Sequence, residues 1–239
     1  MSLCNFSELD NVTLEAARES IRRYAQKNGL WVRQFNMFFQ SIRKIASPEK
    51  RTVVLLSIVR DNGWNMNRRG QCAHILEEVS SERISRGSLE AFWGIVDDLP
   101  NVTLRDLPSV SRPLLEQLEA SLGSIRKTLR SWHPSSDTLC FLTKVVLMFN
   151  WGQSPAFDTR VRSALKLPND LSTEELVEAL IEMGVWICDF ESRNGVMLDQ
   201  LATSEIRETN EASLGQLPLG RGLDMLLFSM DRPRQQKTT

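Results

Sequence analysis

The chain has 239 residues, of which 29 are basic and 30 acidic, so its formal net charge is −1. This balance argues against an undirected polyanion binder, because non-specific affinity for nucleic acid comes from net neutralisation of phosphates. Hydrophobic residues make up 41% and charged residues 25%, which is ordinary for a soluble globular protein with a substantial core.

Cysteine and histidine spacing bears on metal and redox chemistry. The two histidines complete no zinc spacing, and no two cysteines form a C-x-x-C pair. The cysteines are Cys4, Cys72, Cys140 and Cys188. We therefore expect no metal site, no cofactor and reduced thiols. The first ten residues lack the regions of a signal peptide and no apolar run could span a bilayer, so we expect a cytoplasmic protein with no membrane partner.

Helical periodicity dominates the chain and predicts an all-α fold. In the first half, helices are predicted at residues 13–27, 31–45, 49–60, 67–79, 89–99 and 114–129. In the second half, they are predicted at residues 139–149, 159–165, 173–190, 198–208 and 223–230. The helix from residue 173 has the clearest start, because Ser172 or Thr173 can cap it and Glu175 stands in place for a capping box.

Two charged residues stand out in the apolar second half. Lys144 lies in the run Thr143-Lys144-Val145-Val146-Leu147-Met148-Phe149, and Asp158 opens the helix predicted at 159–165. A carboxylate at a helix start is favoured by the partial positive charge of the terminus, and a lysine in apolar surroundings can become nucleophilic. One anion beside one lysine is the minimal equipment for chemistry at a sugar C1'. Asp158 also fits an ordinary N-cap, and Lys144 also fits a snorkelling side chain. Spacing alone does not distinguish a catalytic pair from these structural roles.

Three features together resemble the helix-hairpin-helix superfamily of DNA glycosylases. Thr143-Lys144-Val145 and Asp158-Thr159-Arg160-Val161 resemble that family's lysine helix and its catalytic aspartate. In that family an early buried helix runs into a polar turn that enters the DNA stack. A similar segment in this chain is Leu55-Leu56-Ser57-Ile58-Val59-Arg60-Asp61-Asn62-Gly63-Trp64-Asn65-Met66-Asn67. The order and separation of these blocks are also similar, over residues 50–166.

The resemblance implies an all-α, two-lobed glycosylase-like fold with a degenerate helix-hairpin-helix element. We expect a single domain over residues 1–230, with a central helical lobe at 50–130. Residues 1–49 and 131–230 would form the second lobe, which carries the hairpin and the catalytic aspartate. Residues 231–239 are basic and polar, and we expect a disordered tail there.

Two features depart from the family pattern. The family's hairpin is usually a glycine-rich turn whose amides hold a DNA phosphate, whereas this chain has Trp132-His133-Pro134-Ser135-Ser136-Asp137. This difference either removes the phosphate grip or transfers it to Ser135, Ser136 and their amides. The interval from Lys144 to Asp158 is 14 residues, a few shorter than is common in the family, which bears on the reach of the lysine.

The resemblance also assigns roles to side chains. Asp158 would stabilise an oxocarbenium-like transition state or activate water. Lys144 would form a Schiff base at C1', bind phosphate or help to hold the helix pair together. Residues expected to contact DNA are Trp64, Asn65, Asn67, Arg68, Ser135, Ser136, Arg160 and Arg162. Those expected to stack on an extruded base are Trp151 and Phe157. Turn formation, core packing and ordinary surface exposure remain the alternatives.

The function implied is that of a monomeric DNA glycosylase that flips a modified base out of double-stranded DNA and leaves an abasic site. Bacterial relatives of such enzymes include antiviral glycosylases that excise glucosylated hydroxymethylcytosine from phage DNA, which makes modified cytosines candidate substrates. The alternative is a non-catalytic helical DNA-binding or interaction protein on the same scaffold. A regulatory subunit with no nucleic-acid role is a third reading, which the net charge of −1 slightly favours.

Overall fold

A computed structural model describes residues 2–7, 9–27, 42–61, 71–132, 138–149, 154–210 and 216–230. Within these ranges the chain forms helices and no β-strand, which confirms the predicted all-α class. The α-helices are α1 (Leu14–Lys27), α2 (Pro48–Asp61), α3 (Gln71–Ser80), α4 (Arg86–Asp97), α5 (Arg112–Trp132), α6 (Thr138–Phe149), α7 (Thr159–Ala164), α8 (Thr173–Asn194), α9 (Leu198–Asn210) and α10 (Leu219–Met230). Short 3-10 helices lie at Ile42–Lys44 and Leu107–Ser109.

The predicted helices agree with these bounds to within a few residues, and local hydrogen bonds account for two of the differences. Helix α4 begins before the predicted residue 89, because the Ser85 hydroxyl accepts a hydrogen bond from the Ser88 amide at 3.2 Å. Helix α10 also begins early, since the carbonyl of Pro218 accepts hydrogen bonds from the next turn. The helix predicted at 31–45 lies largely outside the described residues, and the 231–239 tail lies wholly outside them.

Helix α8 begins and ends at strong local signals. The Ser172 hydroxyl accepts from the Glu175 amide at 3.1 Å, and the Glu175 carboxylate accepts from the Ser172 amide at 2.6 Å. This reciprocal pair is the predicted capping box. The helix ends at Gly195, whose φ of 63° is left-handed backbone that glycine adopts without a Cβ clash.

The helices pack in two connected groups. In the first, α2 contacts α3 and α4, α4 packs on α5, and α5 packs on both α6 and α8. In the second, α1, α9 and α10 contact one another, and α7 packs on α10. This second group brings the first described helix against the last two, and α7 lies against the last of them. The division into lobes at residues 50 and 130 stays a prediction.

The loop before α5 is fastened closely to α8. A Cβ on Gly184 would lie well inside contact distance of the Leu104 carbonyl oxygen and 2.9 Å from Cδ of Pro108, so only glycine fits there. The Arg105 guanidinium donates to both oxygens of Glu191 at 2.7 Å. Because Arg105 also reaches Asp199 at 3.1 Å, this loop joins α8 to α9. None of the described helices is both long and apolar enough to cross a membrane.

Candidate functional site

Asp158 is the N-cap residue of α7. Its carboxylate Oδ1 accepts hydrogen bonds from the amides of Arg160 at 2.9 Å and Val161 at 3.0 Å. The side chain is partly exposed, and among the described residues no donor reaches its Oδ2. Two backbone bonds therefore hold the carboxylate through Oδ1, and Oδ2 accepts from none of the described residues.

The segment that leads to Asp158 is anchored at each successive backbone amide. The Ala156 amide donates to the Asp224 carboxylate Oδ1 at 3.3 Å, and the Phe157 amide donates to the Thr143 hydroxyl at 2.9 Å. The Asp158 amide donates to the carbonyl of Ala156 at 2.7 Å. At the other end of the short helix α7, the Leu165 carbonyl accepts from the Asn5 amide at 2.9 Å. The position of the Asp158 backbone is thus set by long-range contacts as well as by its own helix.

Lys144 lies on α6 next to Thr143, and its side chain is only 2% exposed. Its positive charge lies close enough to Asp224 to favour the ionised form of that carboxyl. Asp158 also lies within electrostatic range of Asp224, where its like charge has the opposite effect. The two residues that the sequence predicts as catalytic, Lys144 and Asp158, therefore both lie around one buried carboxylate.

Two further residues complete this arrangement. Arg221, which is fully buried, forms an ion pair through Nη1 with Oδ2 of Asp224 and donates from Nη2 to the Tyr24 hydroxyl at 2.7 Å. We call Tyr24, Lys144, Asp158, Arg221 and Asp224 the charge cluster. Its members come from α1, α6, α10 and the start of α7. With tyrosine neutral, its two formal positive charges match its two formal negative charges.

Burial controls the titration of the cluster. Removal from water raises the pKa of Asp224 from 3.8 to about 6, although the Arg221 charge opposes the shift. Burial likewise raises the pKa of Tyr24 to about 12, against the lowering effect of Arg221. Tyr24 is therefore a neutral hydrogen-bonding group near neutral pH.

The two arginines on α7 have different environments. Arg160 is exposed, and its guanidinium carbon lies 4.3 Å from the centre of the Phe228 ring. The Phe228 ring meets the Tyr24 ring edge-on at 5.1 Å, which connects this surface arginine to the charge cluster. Arg162 is only 8% exposed, and its Nη1 donates to the Asn169 carbonyl. The Arg162 guanidinium thus binds the segment between α7 and α8 inside the protein.

The remaining predicted site residues divide into two sets. Phe157 is fully buried in the core, so a base could stack on it only if neighbouring side chains moved. A small cavity near it, lined by Thr143, Ser154 and apolar side chains, has room for about one water molecule, far less than a base needs. Outside the described residues lie Trp64, Asn65, Asn67, Arg68, Ser135, Ser136 and Trp151.

The sequence reasoning missed Tyr24, Arg221 and Asp224. A local signal for the last two was present, because they are the only charged residues in the otherwise apolar run Leu219–Met230 and are separated by three positions, which places them on one helix face. Tyr24 has no comparable signal, since an aromatic residue on the buried face of an amphipathic helix is ordinary.

No protein-family model, curated protein or solved structure matches the chain. The resemblance to DNA glycosylases therefore stays a prediction from the sequence motifs.

Proposed function

We propose that the protein is a DNA N-glycosylase that hydrolyses the bond between a modified base and its deoxyribose. The observation that carries the proposal is the environment of Asp158. Its carboxylate is held through Oδ1, is partly exposed, and keeps Oδ2 unoccupied by the described residues. This combination of rigidity and access is what a group that acts on a bound substrate requires.

The chemistry follows from the charge that develops during the reaction. Cleavage of an N-glycosidic bond builds positive charge on the sugar, and a fixed carboxylate beside C1' stabilises it without reorganising. Because the amides of Arg160 and Val161 occupy Oδ1, we assign Oδ2 to the sugar or to an attacking water. The base must first leave the DNA stack, at a cost on the order of a few kcal/mol.

We assign the role of nucleophile to water rather than to Lys144. A Schiff base requires the amine to reach C1', whereas the Lys144 side chain is 2% exposed and its charge acts on the buried Asp224. In this proposal Lys144 balances the charge cluster. Borohydride trapping should then yield no covalent DNA adduct, and an adduct that disappears in Lys144→Ala would restore the lysine as nucleophile.

Contacts to DNA near Asp158 are assigned to Arg160. Arg160 follows the proposed catalytic Asp158 by two residues. It is exposed, and its guanidinium lies over the Phe228 ring. A phosphate contact there would make binding depend on salt. Following the resemblance, the substrates to test first are DNAs that carry bulky modified cytosines, including glucosylated hydroxymethylcytosine.

The decisive experiment uses Asp158→Asn, since asparagine also caps helices and the variant removes the charge while keeping the cap. Genomic DNAs with different base modifications are incubated with each protein, and abasic sites are counted. We expect the wild type to act on at least one DNA and Asp158→Asn to be slower by about 100-fold or more, with unchanged DNA affinity. Asp98→Asn, on an exposed residue at the end of α4, is the matched control and should keep the wild-type rate. Wild-type activity in Asp158→Asn would overturn the proposal.

A second candidate is a non-catalytic helical DNA-binding or interaction protein on the same scaffold. The observation that favours it is the balance of charges in the cluster. A buried arginine paired with Asp224 and a buried lysine within electrostatic range of the same carboxylate fit a purely structural network. This candidate predicts salt-dependent DNA binding without release of any base.

A further inference from the structure

Helix α10 contains two charged residues in a stretch that is otherwise apolar and buried. Residues 219–227 are all buried, yet this stretch contains both Arg221 and Asp224. A buried ion pair is often no more stabilising than apolar side chains of the same volume. Stability from packing α10 against α1 and α9 therefore does not explain why these two residues are charged. Their contacts with residues outside the helix indicate their role.

The two oxygens of Asp224 have separate partners. Oδ2 pairs with Arg221 on the same helix, whereas Oδ1 accepts a hydrogen bond from the Ala156 amide at 3.3 Å, 68 residues away in sequence. Ala156 in turn accepts through its carbonyl from the Asp158 amide at 2.7 Å. A continuous chain of contacts thus runs from buried Arg221 through Asp224 to the backbone of Asp158.

We infer that Asp224 is a positioning residue, which holds residues 156–158 so that the Asp158 carboxylate keeps its orientation. An ionised acceptor binds an amide more strongly than a neutral one, so the charge of Asp224 strengthens its grip on Ala156. Arg221 pairs with this charge and is itself held by the Tyr24 hydroxyl, while the Lys144 charge also favours the ionised form of Asp224. This inference deepens the proposed glycosylase function and rests on it for the catalytic role of Asp158.

Asp224→Asn tests the inference with two separate readouts. The first is hydrogen exchange at the amides of Arg160 and Val161, which donate to Asp158 and so report the carboxylate's orientation directly. We expect exchange of these amides to accelerate about 10-fold or more. The Glu175 amide, which donates to the Ser172 cap of α8, is the matched control and should keep its wild-type exchange rate. A general loss of stability would accelerate all three.

The second readout is base excision on the DNA found to be a substrate. We expect Asp224→Asn to lower kcat by about 10- to 100-fold with little change in DNA affinity, because a displaced catalytic group loses rate more than binding. Asp224→Glu should recover part of the rate. When Asp224→Asn is added to Asp158→Asn, kcat should not fall further, because the carboxylate that Asp224 positions is already absent.

The outcomes separate the inference from the proposed function. If the wild type excises no base, the proposed function fails, and the exchange of Arg160 and Val161 still decides whether Asp224 positions Asp158. Wild-type exchange at both amides in Asp224→Asn would overturn the inference, whether or not the protein is active. Should this variant fail to fold, Arg221→Met/Asp224→Leu removes both buried charges together and carries the same test.

Discussion

Replacing the buried carboxyl of Asp224 should change how the stability of the protein depends on pH. Asp224→Asn keeps the size and shape of the side chain but abolishes its titration. In the folded protein, burial raises the pKa of Asp224 from 3.8 to about 6, and the nearby Asp158 charge adds to the rise. The wild type therefore binds a proton at this site more tightly when folded than when unfolded, whereas the variant does not.

The sign of the pH dependence follows from this difference. A carboxyl whose pKa is higher in the folded state contributes stability that is fully present below pH 3.8 and is lost as the pH rises through about 6. One pKa unit corresponds to about 1.4 kcal/mol, so the whole change amounts to about 3 kcal/mol. About 2 kcal/mol of it falls between pH 4.5 and 7.5.

Urea unfolding of both proteins at intervals from pH 4.5 to 7.5 measures this contribution. The free energy of unfolding of the variant is subtracted from that of the wild type, because the titration of all other groups then largely cancels. We expect this difference to fall with rising pH by about 2 kcal/mol. Gly94→Ala changes no titratable group, and its difference from the wild type should stay flat across the same range.

An opposite slope would refute the reasoning. If the difference grows as the pH rises, the positive charges of Arg221 and Lys144 outweigh the cost of burial, and the pKa of Asp224 lies below its ordinary value. A flat difference would mean that burial and these charges cancel at Asp224.

Three further substitutions test the scaffold. Gly184→Ala should lower the free energy of urea unfolding by about 1–3 kcal/mol or more, since its Cβ meets the Leu104 carbonyl. Gly94→Ala, where a Cβ meets nothing within 4 Å, should raise it by up to about 1 kcal/mol, and equal effects would contradict the packing argument. Ser172→Ala should reduce thermal stability by about 1 kcal/mol through loss of the α8 cap, and an unchanged Tm would exclude a contribution from that cap.

The helices could be predicted from the sequence because helix formation depends on neighbouring residues. The start of α8 is an example, since Ser172 and Glu175 are three residues apart and form their capping box without help from the rest of the chain. The early start of α10 was missed because Leu219 to Gly222 contain two glycines, which are poor helix formers in isolation. Their burial against α1 and α9 compensates for that low propensity.

The candidate site was only partly predictable. Asp158 and Lys144 are visible in the sequence, because a charge in an apolar stretch and an acidic residue at a helix start are local anomalies. Arg162 was expected at a DNA surface, but its side chain turns inward to the Asn169 carbonyl. Helical spacing does not specify this direction, since it depends on how α7 meets the segment that follows it.

The amino-acid sequence by itself determined the helical class and the approximate helix bounds. It also singled out Lys144 and Asp158, the two charged residues on which the proposed function is based. Only the tertiary structure decided which groups surround them. Tyr24 and Arg221 are 197 positions apart, and their hydrogen bond forms because α1 packs against α10. The state of a buried carboxyl such as Asp224 depends on the water that it loses and the charges that it meets, and both are properties of the folded chain.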